Sequence, residues 1–208
     1  MTYLTNPDEI YQRSFEIIGQ EVNLSVFPKD IAPIAERVIH SCGMPEILPD
    51  LIISDNLTKV VSTALLDGAP IFIDAEMLRS AIIPRMLPMT TKVICQLNHP
   101  DAAIIGKAKN ITRSAAAVEL WGDNVKDAIV VIGNAPTALF RLLELIDEGI
   151  PKPAAIIAFP VGFVGAAESK QALHDNPRGV PYATLLGRKG GTAMAGAAIN
   201  AISRNLPK

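Results

Sequence analysis

Cysteine is scarce in this sequence. The two thiols, Cys42 and Cys95, lie far apart and match neither a redox pair nor a zinc spacing. That excludes a disulfide framework and argues against a cysteine-built metal centre, leaving two reduced thiols. An excess of charge of one sign is also missing. Lysine and arginine total 19 against 21 acidic residues, a net charge of -2, so no global attraction draws the chain to nucleic acid or to an anionic membrane. Uncharged runs such as Ala154 to Ala167 fall short of the roughly 20 residues that span a bilayer, and proline and glycine interrupt them. The first turns carry Asp8, Glu9, Arg13 and Glu16 and no apolar h-region, which predicts no signal peptide, no membrane helix and a cytoplasmic product.

Several chemical signatures are absent as well. No stretch carries the three-glycine dinucleotide fingerprint or the phosphate loop of nucleotide hydrolases. There is no nucleophile elbow and no zinc-protease helix. These absences leave NAD or ATP use, and hydrolysis by those arrangements, without support.

What is present is a core. Apolar residues make up 49% of the chain and charged residues 19%, the balance of a compact globular protein, and residues 1–208 read as one domain. Asn6 caps a predicted amphipathic helix that begins at Pro7, with acids in its first turn and apolar Ile10, Phe15 and Ile18. A second predicted helix runs from Asp30, its stripe formed by Ile31, Ile34, Ala35, Val38 and Cys42 and its stop signal by Gly43. Short apolar runs then alternate with helical ones: LIIS, PIFID, KVICQ, AIVVIG and AAIIAF read as strands. Continuous apolar strands between helices predict a doubly wound α/β fold, a mostly parallel sheet with helices on both faces and an N-terminal helical segment.

In such sheets ligands bind beyond the carboxyl ends of the strands. Two segments reach that edge. AIVVIGNAPTALF passes through Gly133, Asn134 and Ala135 to a helix opened by Pro136, and AIIAFPVGFVGAAESK passes through Gly162 and Gly165. Each loop and helix start offers backbone N–H groups to the crevice, or its glycines and prolines serve only to make the turn. Thr112 reads as a helix cap with Arg113 in the first turn, a pairing of guanidinium and N–H groups that suits a carboxylate. Arg79, Arg85 and Arg188 could join it around a polyanion, or serve as surface charges. The small residues of GGTAMAGAAINAI permit close helix packing on the sheet or between subunits.

His40 stands out among the three histidines. It lies opposite the apolar stripe of its helix and one turn after Arg37, so it is not a core residue. A surface histidine that caps the helix satisfies this placement. So does an acid, since a helix C-terminus favours the imidazolium and keeps a proton available near neutral pH. His99, before Pro100 in a predicted loop, and His174, ending a charged helix, read as surface residues.

Six ordered blocks carry a resemblance. RVIHSCGMPEI, GAPIFIDAEMLRSAI, NITRSAAAVELW, VVIGNAPTALFRLLELI, IIAFPVGFVGAAESKQAL and PYATLLGRKGGTAMAGAAINAI resemble the precorrin-8X methylmutases, also called cobalt-precorrin-8 methylmutases, of cobalamin biosynthesis. The resemblance covers nearly the whole chain. It implies a methyl migration from C-11 to C-12 of a tetrapyrrole, giving hydrogenobyrinate or its cobalt counterpart cobyrinate, with no cofactor. The histidine of the I-H-x-C-G-M block falls on His40, which the resemblance makes the general acid. Ser14, Arg37 and Arg113 fall where substrate contacts are implied, and Arg13, Asn134 and Phe163 join them on loop geometry. The resemblance also implies a homodimer whose interface would enclose His40. Two other readings stay open: a tetrapyrrole carrier without chemistry, and a nucleotide-dependent oxidoreductase with its cofactor at Gly133 or Gly162.

Overall fold

A computed structural model describes residues 3–206. Nine α-helices and six strands follow one another along these residues. The strands are β1 (Leu51–Ile53), β2 (Ile71–Ile73), β3 (Val93–Cys95), β4 (Ile129–Ile132), β5 (Ala155–Ala158) and β6 (Tyr182–Leu185). They form one sheet in the order β1-β6-β5-β4-β2-β3. All neighbours run parallel except β1, which pairs antiparallel with β6 at the edge.

The strands are apolar on both sides because both faces are covered. Ile129, Val131 and Ile157 enter one core, with α2 (Ala32–Cys42), α3 (Leu57–Leu66) and α9 (Thr192–Arg204). Val130, Ile132 and Ile156 enter the other, beneath α7 (Pro136–Asp147) and Trp121. The alternation within a continuous apolar run is the two-residue period of a strand buried on both faces.

Local signals set the helix boundaries. In α1 (Pro7–Glu21) the Asn6 side chain accepts the N–H groups of Asp8 and Glu9 at 2.9 and 3.3 Å. At the end of α2, Gly43 takes the left-handed conformation at φ +66° that stops the helix without a Cβ penalty. Two elements fall outside the expectations above. β6 arises from YATL, where a tyrosine and a threonine break the apolar run, yet all four residues are buried. α5 (Pro100–Lys109) has two fully buried residues, Ala102 and Gly106, so almost no apolar stripe announces it. His99 lies just outside the helix, as expected, and caps α5, its Nδ1 accepting the Asp101 N–H at 3.3 Å. Among the described residues no helix is long and apolar enough to cross a membrane.

The chain runs outward from β2 to β3 and returns past β2 to β4, which makes the β2–β4 boundary the switch point of the sheet. Asp74, the first residue after β2, is buried there. Its carboxylate accepts the N–H groups of Gly133, Asn134 and Ala135 at 2.9, 3.0 and 2.7 Å. Burial pushes its pKa above the ordinary aspartate value, against the pull of those bonds. Just beside it, a Cβ on Gly133 would stand 2.9 Å from Thr192 Cα, so α9 crosses the sheet in direct contact with the β4 backbone. One turn further along, α9 makes a second close contact: a Cβ on Gly196 would meet Ala81 Cβ at 2.6 Å, against α4 (Glu76–Ala81).

Two stability measurements test this arrangement. Asp74→Ala leaves three N–H groups, that of Gly133 buried and those of Asn134 and Ala135 partly so, without their acceptor and is expected to cost about 3 kcal/mol in urea denaturation. A loss below about 1 kcal/mol would show that the nest does not hold the switch point. Gly196→Ala is expected to destabilise by roughly 1–3 kcal/mol through overpacking, although alanine is the better helix former by about 1 kcal/mol. Adding Ala81→Gly should restore most of that loss; if it does not, the α9–α4 contact is not the cause.

Candidate active site

His40 occupies the last turn of α2, on the face turned away from the sheet. Over that face lies α1, which presents Tyr11, Ser14 and Phe15 from one side because residues three and four apart share a helix face. Ser14 Oγ lies 2.8 Å from His40 Nδ1. The Phe15 ring stacks on the imidazole at 4.8 Å between centroids and 18° between planes. Arg37, one turn before the histidine, places its guanidinium 5.0 Å from both the Tyr11 and the Phe15 centroid.

This environment reverses one expectation. The helix terminus was expected to favour the imidazolium, but burial first and the Arg37 charge second push the His40 pKa below its ordinary value. The carbonyl ends of one short helix do not outweigh an aromatic cover and a neighbouring cation. The ring is thus held toward its neutral form near pH 7. Ser14 suits either form: its hydroxyl donates to a bare Nδ1 or accepts from a protonated one. In both cases Nε2 can carry a proton and is the nitrogen free of the Ser14 bond.

Beside His40 opens a cavity of about 210 Å³, lined by Arg37, Ser41, Ala81, Met86 and a stripe of α9 that includes Asn200 and Arg204. Asn200 shapes its floor, donating to the Ala81 carbonyl at 2.8 Å and accepting the Ile83 N–H at 2.9 Å. Sequence reasoning passed over Tyr11, Asn200 and Arg204. A polar Asn200 amid alanines and glycines was a usable signal for the second of these; a terminal helix arginine such as Arg204 gave none. A larger cavity, about 610 Å³, lies at the opposite, amino ends of the strands near Pro70 and Ala154, and its lining holds no histidine or cysteine.

The structure brings together His40, Ser14 and Arg37 and leaves the remaining candidates elsewhere. Arg13 is exposed on α1 and pairs with Glu16 at 3.1 Å. Arg113 opens α6 (Arg113–Glu119), whose Val118 packs into the core opposite to that of α2. Thr112 does cap that helix, accepting the Ala115 N–H at 3.2 Å. Asn134 sits in the Asp74 nest, so the N–H groups of Gly133, Asn134 and Ala135 bond to the protein's own carboxylate rather than facing the crevice. Phe163 is 86% exposed in the turn between β5 and α8 (Ala166–Asp175), beneath the Arg188 guanidinium at 5.7 Å. Among the described residues no three His, Cys, Asp or Glu side chains converge to hold a metal ion.

Comparison with known proteins gives a consistent result. The family model described as precorrin-8X methylmutase matches residues 9–205. The chain is 47% identical over 201 residues to the precorrin-8X methylmutase of Pseudomonas aeruginosa, covering 97% of each. It is 39% identical over 187 residues to the cobalt-precorrin-8 methylmutase of Methanocaldococcus jannaschii, covering 90% of this chain and 84% of that protein. The solved precorrin-8x methyl mutase from Thermus thermophilus superposes with a TM-score of 0.84 at 34% identity, covering 95% of each chain.

The electrostatics of His40 can be read directly. In a pH titration followed by NMR its midpoint is expected below the histidine reference of about 6.5, and Arg37→Gln should move it upward by removing the neighbouring cation. A midpoint at or above the reference in the unsubstituted protein would contradict the environment described.

Proposed function

The chain belongs to the precorrin-8X methylmutase family, a family of isomerases, and from that premise we propose that it moves a methyl group from C-11 to C-12 of precorrin-8X or its cobalt form, with His40 as general acid. The observation that carries the assignment is the pairing of Ser14 with His40 Nδ1. It fixes the ring and reserves Nε2 for the substrate. A proton given or shared from Nε2 to ring C draws electron density from C-11 as the methyl leaves it. The carbon–methyl bond at C-11 breaks, the bond at C-12 forms, the conjugated system takes up the change, and any proton given to ring C returns to His40 Nε2. Every substrate atom remains in the product, so the reaction itself calls for no electron carrier.

A lowered His40 pKa is compatible with this role. A ring with a lowered pKa is a stronger acid once protonated and a ready hydrogen-bond donor when not, and proton transfer of this type is worth about 10²–10⁴ in rate. Holding the macrocycle in its reactive shape supplies much of the remainder. Arg37 meets a peripheral carboxylate in this reading. Arg113, Arg13, Asn134 and Phe163, which stand apart from His40 in one chain, would meet the substrate only where it extends beyond the cavity or where a second copy covers it.

Pockets for drug-sized ligands run to about 300–1,000 Å³; the His40 cavity holds about 210 Å³, and a neighbouring cavity of about 650 Å³ shares its Met86 and Arg204. We also propose, as the resemblance implies, a homodimer whose second copy closes the site, acting in the cytoplasm without nucleic-acid or membrane partners.

Single-turnover absorbance of the unsubstituted protein and His40→Gln, with precorrin-8X and with its cobalt form, tests the assignment. His40→Gln is expected to bind the product macrocycle normally and to convert substrate at least 10²-fold more slowly. Equal conversion by both would remove His40 from the chemistry, and tight binding without conversion by the unsubstituted protein would make the chain a carrier.

A further inference from the structure

The cavity beside His40 carries two guanidinium groups that no carboxylate pairs with among the described residues. Arg37 and Arg204 line it together. Both donate to the Tyr11 hydroxyl, Arg204 Nη1 at 2.6 Å, and both lie over its ring, 5.0 and 5.5 Å from the centroid. Other arginines meet carboxylates: Arg141 bonds Glu119, Glu144 and Glu148, and Arg178 bonds Asp147. Among the described residues neither Arg37 nor Arg204 has an acidic partner within 4.0 Å, and no lining residue of the cavity is acidic.

A neutral phenol does not balance two cations. Placing Arg204 in the last turn of α9 is favourable in itself, since a helix C-terminus attracts positive charge. That accounts for one cation and not for a second converging from another helix. The Arg37 pKa is lowered by burial and then by Arg204, so the two groups repel across the gap. Such a pair is completed by an anion, and planar guanidinium forks match a carboxylate in particular.

We propose that Arg204 and Arg37 form a clamp for one peripheral carboxylate of the macrocycle, which makes Arg204 a substrate-binding residue. The clamp rests on the methylmutase reading and deepens it: it assigns a charged edge of the substrate to the α2–α9 side of the cavity. It also couples binding to chemistry. A carboxylate held there offsets the Arg37 charge beside His40, so a bound macrocycle raises the proton affinity of the ring that is to act as acid.

The test uses the full chain and the product macrocycle, hydrogenobyrinate, in both its free-acid form and a form with every peripheral carboxylate converted to the amide. Arg204→Gln is expected to weaken binding of the free acid roughly 10- to 100-fold, the worth of a lost charge-assisted bond, with Arg204→Lys intermediate because it keeps the charge but not the fork. Against the amide form, the unsubstituted protein and Arg204→Gln should bind alike. NMR should show the His40 titration midpoint rising when the unsubstituted protein binds the free acid, and rising less in Arg204→Gln. Equal affinity of both proteins for the free acid overturns the clamp while leaving the methylmutase reading intact. A loss of the same size against the amide also overturns it, since the role would then not be charge recognition. An unsubstituted protein that neither binds nor converts the macrocycle overturns both.

Discussion

The buried carboxylate of Asp74 is the constraint on which the rest of the structure hangs. It gathers three N–H groups at the start of α7 and so fixes the loop between β4 and that helix. The fixed loop presents Gly133 to α9 at backbone distance. α9 in turn is the partner against which α2 makes its most extensive helix contact, and α2 carries His40. A hydrogen-bonded carboxyl group at the switch point of the sheet thus sets the position of a histidine on an outer helix. The same interaction fills, from within the protein, the anion seat that a doubly wound sheet offers at its switch point.

With that seat taken, the candidate chemistry sits on the helical face instead. The chain as a whole carries a net charge of -2, yet the groups around His40 are cationic, aromatic and hydroxylic. Their effects are linked. Phe15 and Tyr11 lie against one side of the imidazole, which stays exposed, and offer π faces to Arg37. Arg37 lowers the proton affinity of His40, and Arg204 adds positive charge across the cavity. The result is a local field suited to a polyanion and invisible in the global balance of charge.

Much of the fold was legible because it rests on short-range rules. Asn6 and Pro7 announce α1, Gly43 ends α2, and strands such as IVVI and AIIA show their burial in their composition. YATL hid β6 because its polar atoms find partners only in the fold: Thr184 Oγ1 donates to the Ala158 carbonyl at 2.6 Å, and the Tyr182 hydroxyl pairs with His174 Nδ1 at 2.7 Å. The candidate site divides in the same way. His40, Ser14 and Arg37 were named in advance, the spacing of Arg37 and His40 placing them on one helix face. Ser14 rested on resemblance. Asn200 and Arg204 were missed because their meaning comes from α9 lying beside α2 and α4, a contact more than a hundred residues long in sequence. The N–H groups at Gly133 misled for a related reason, since only the fold brings Asp74 to them.

One feature of α1 bears on how such a site operates. Of its fifteen residues only Ile18 is buried, while Tyr11, Ser14 and Phe15 make the surroundings of His40. The helix that completes the site is therefore among those the core holds least, and its opening free energy lies toward the low end of the range within one protein. Any ligand that needs α1 in place binds only the docked fraction of molecules, and its apparent affinity is scaled by that fraction.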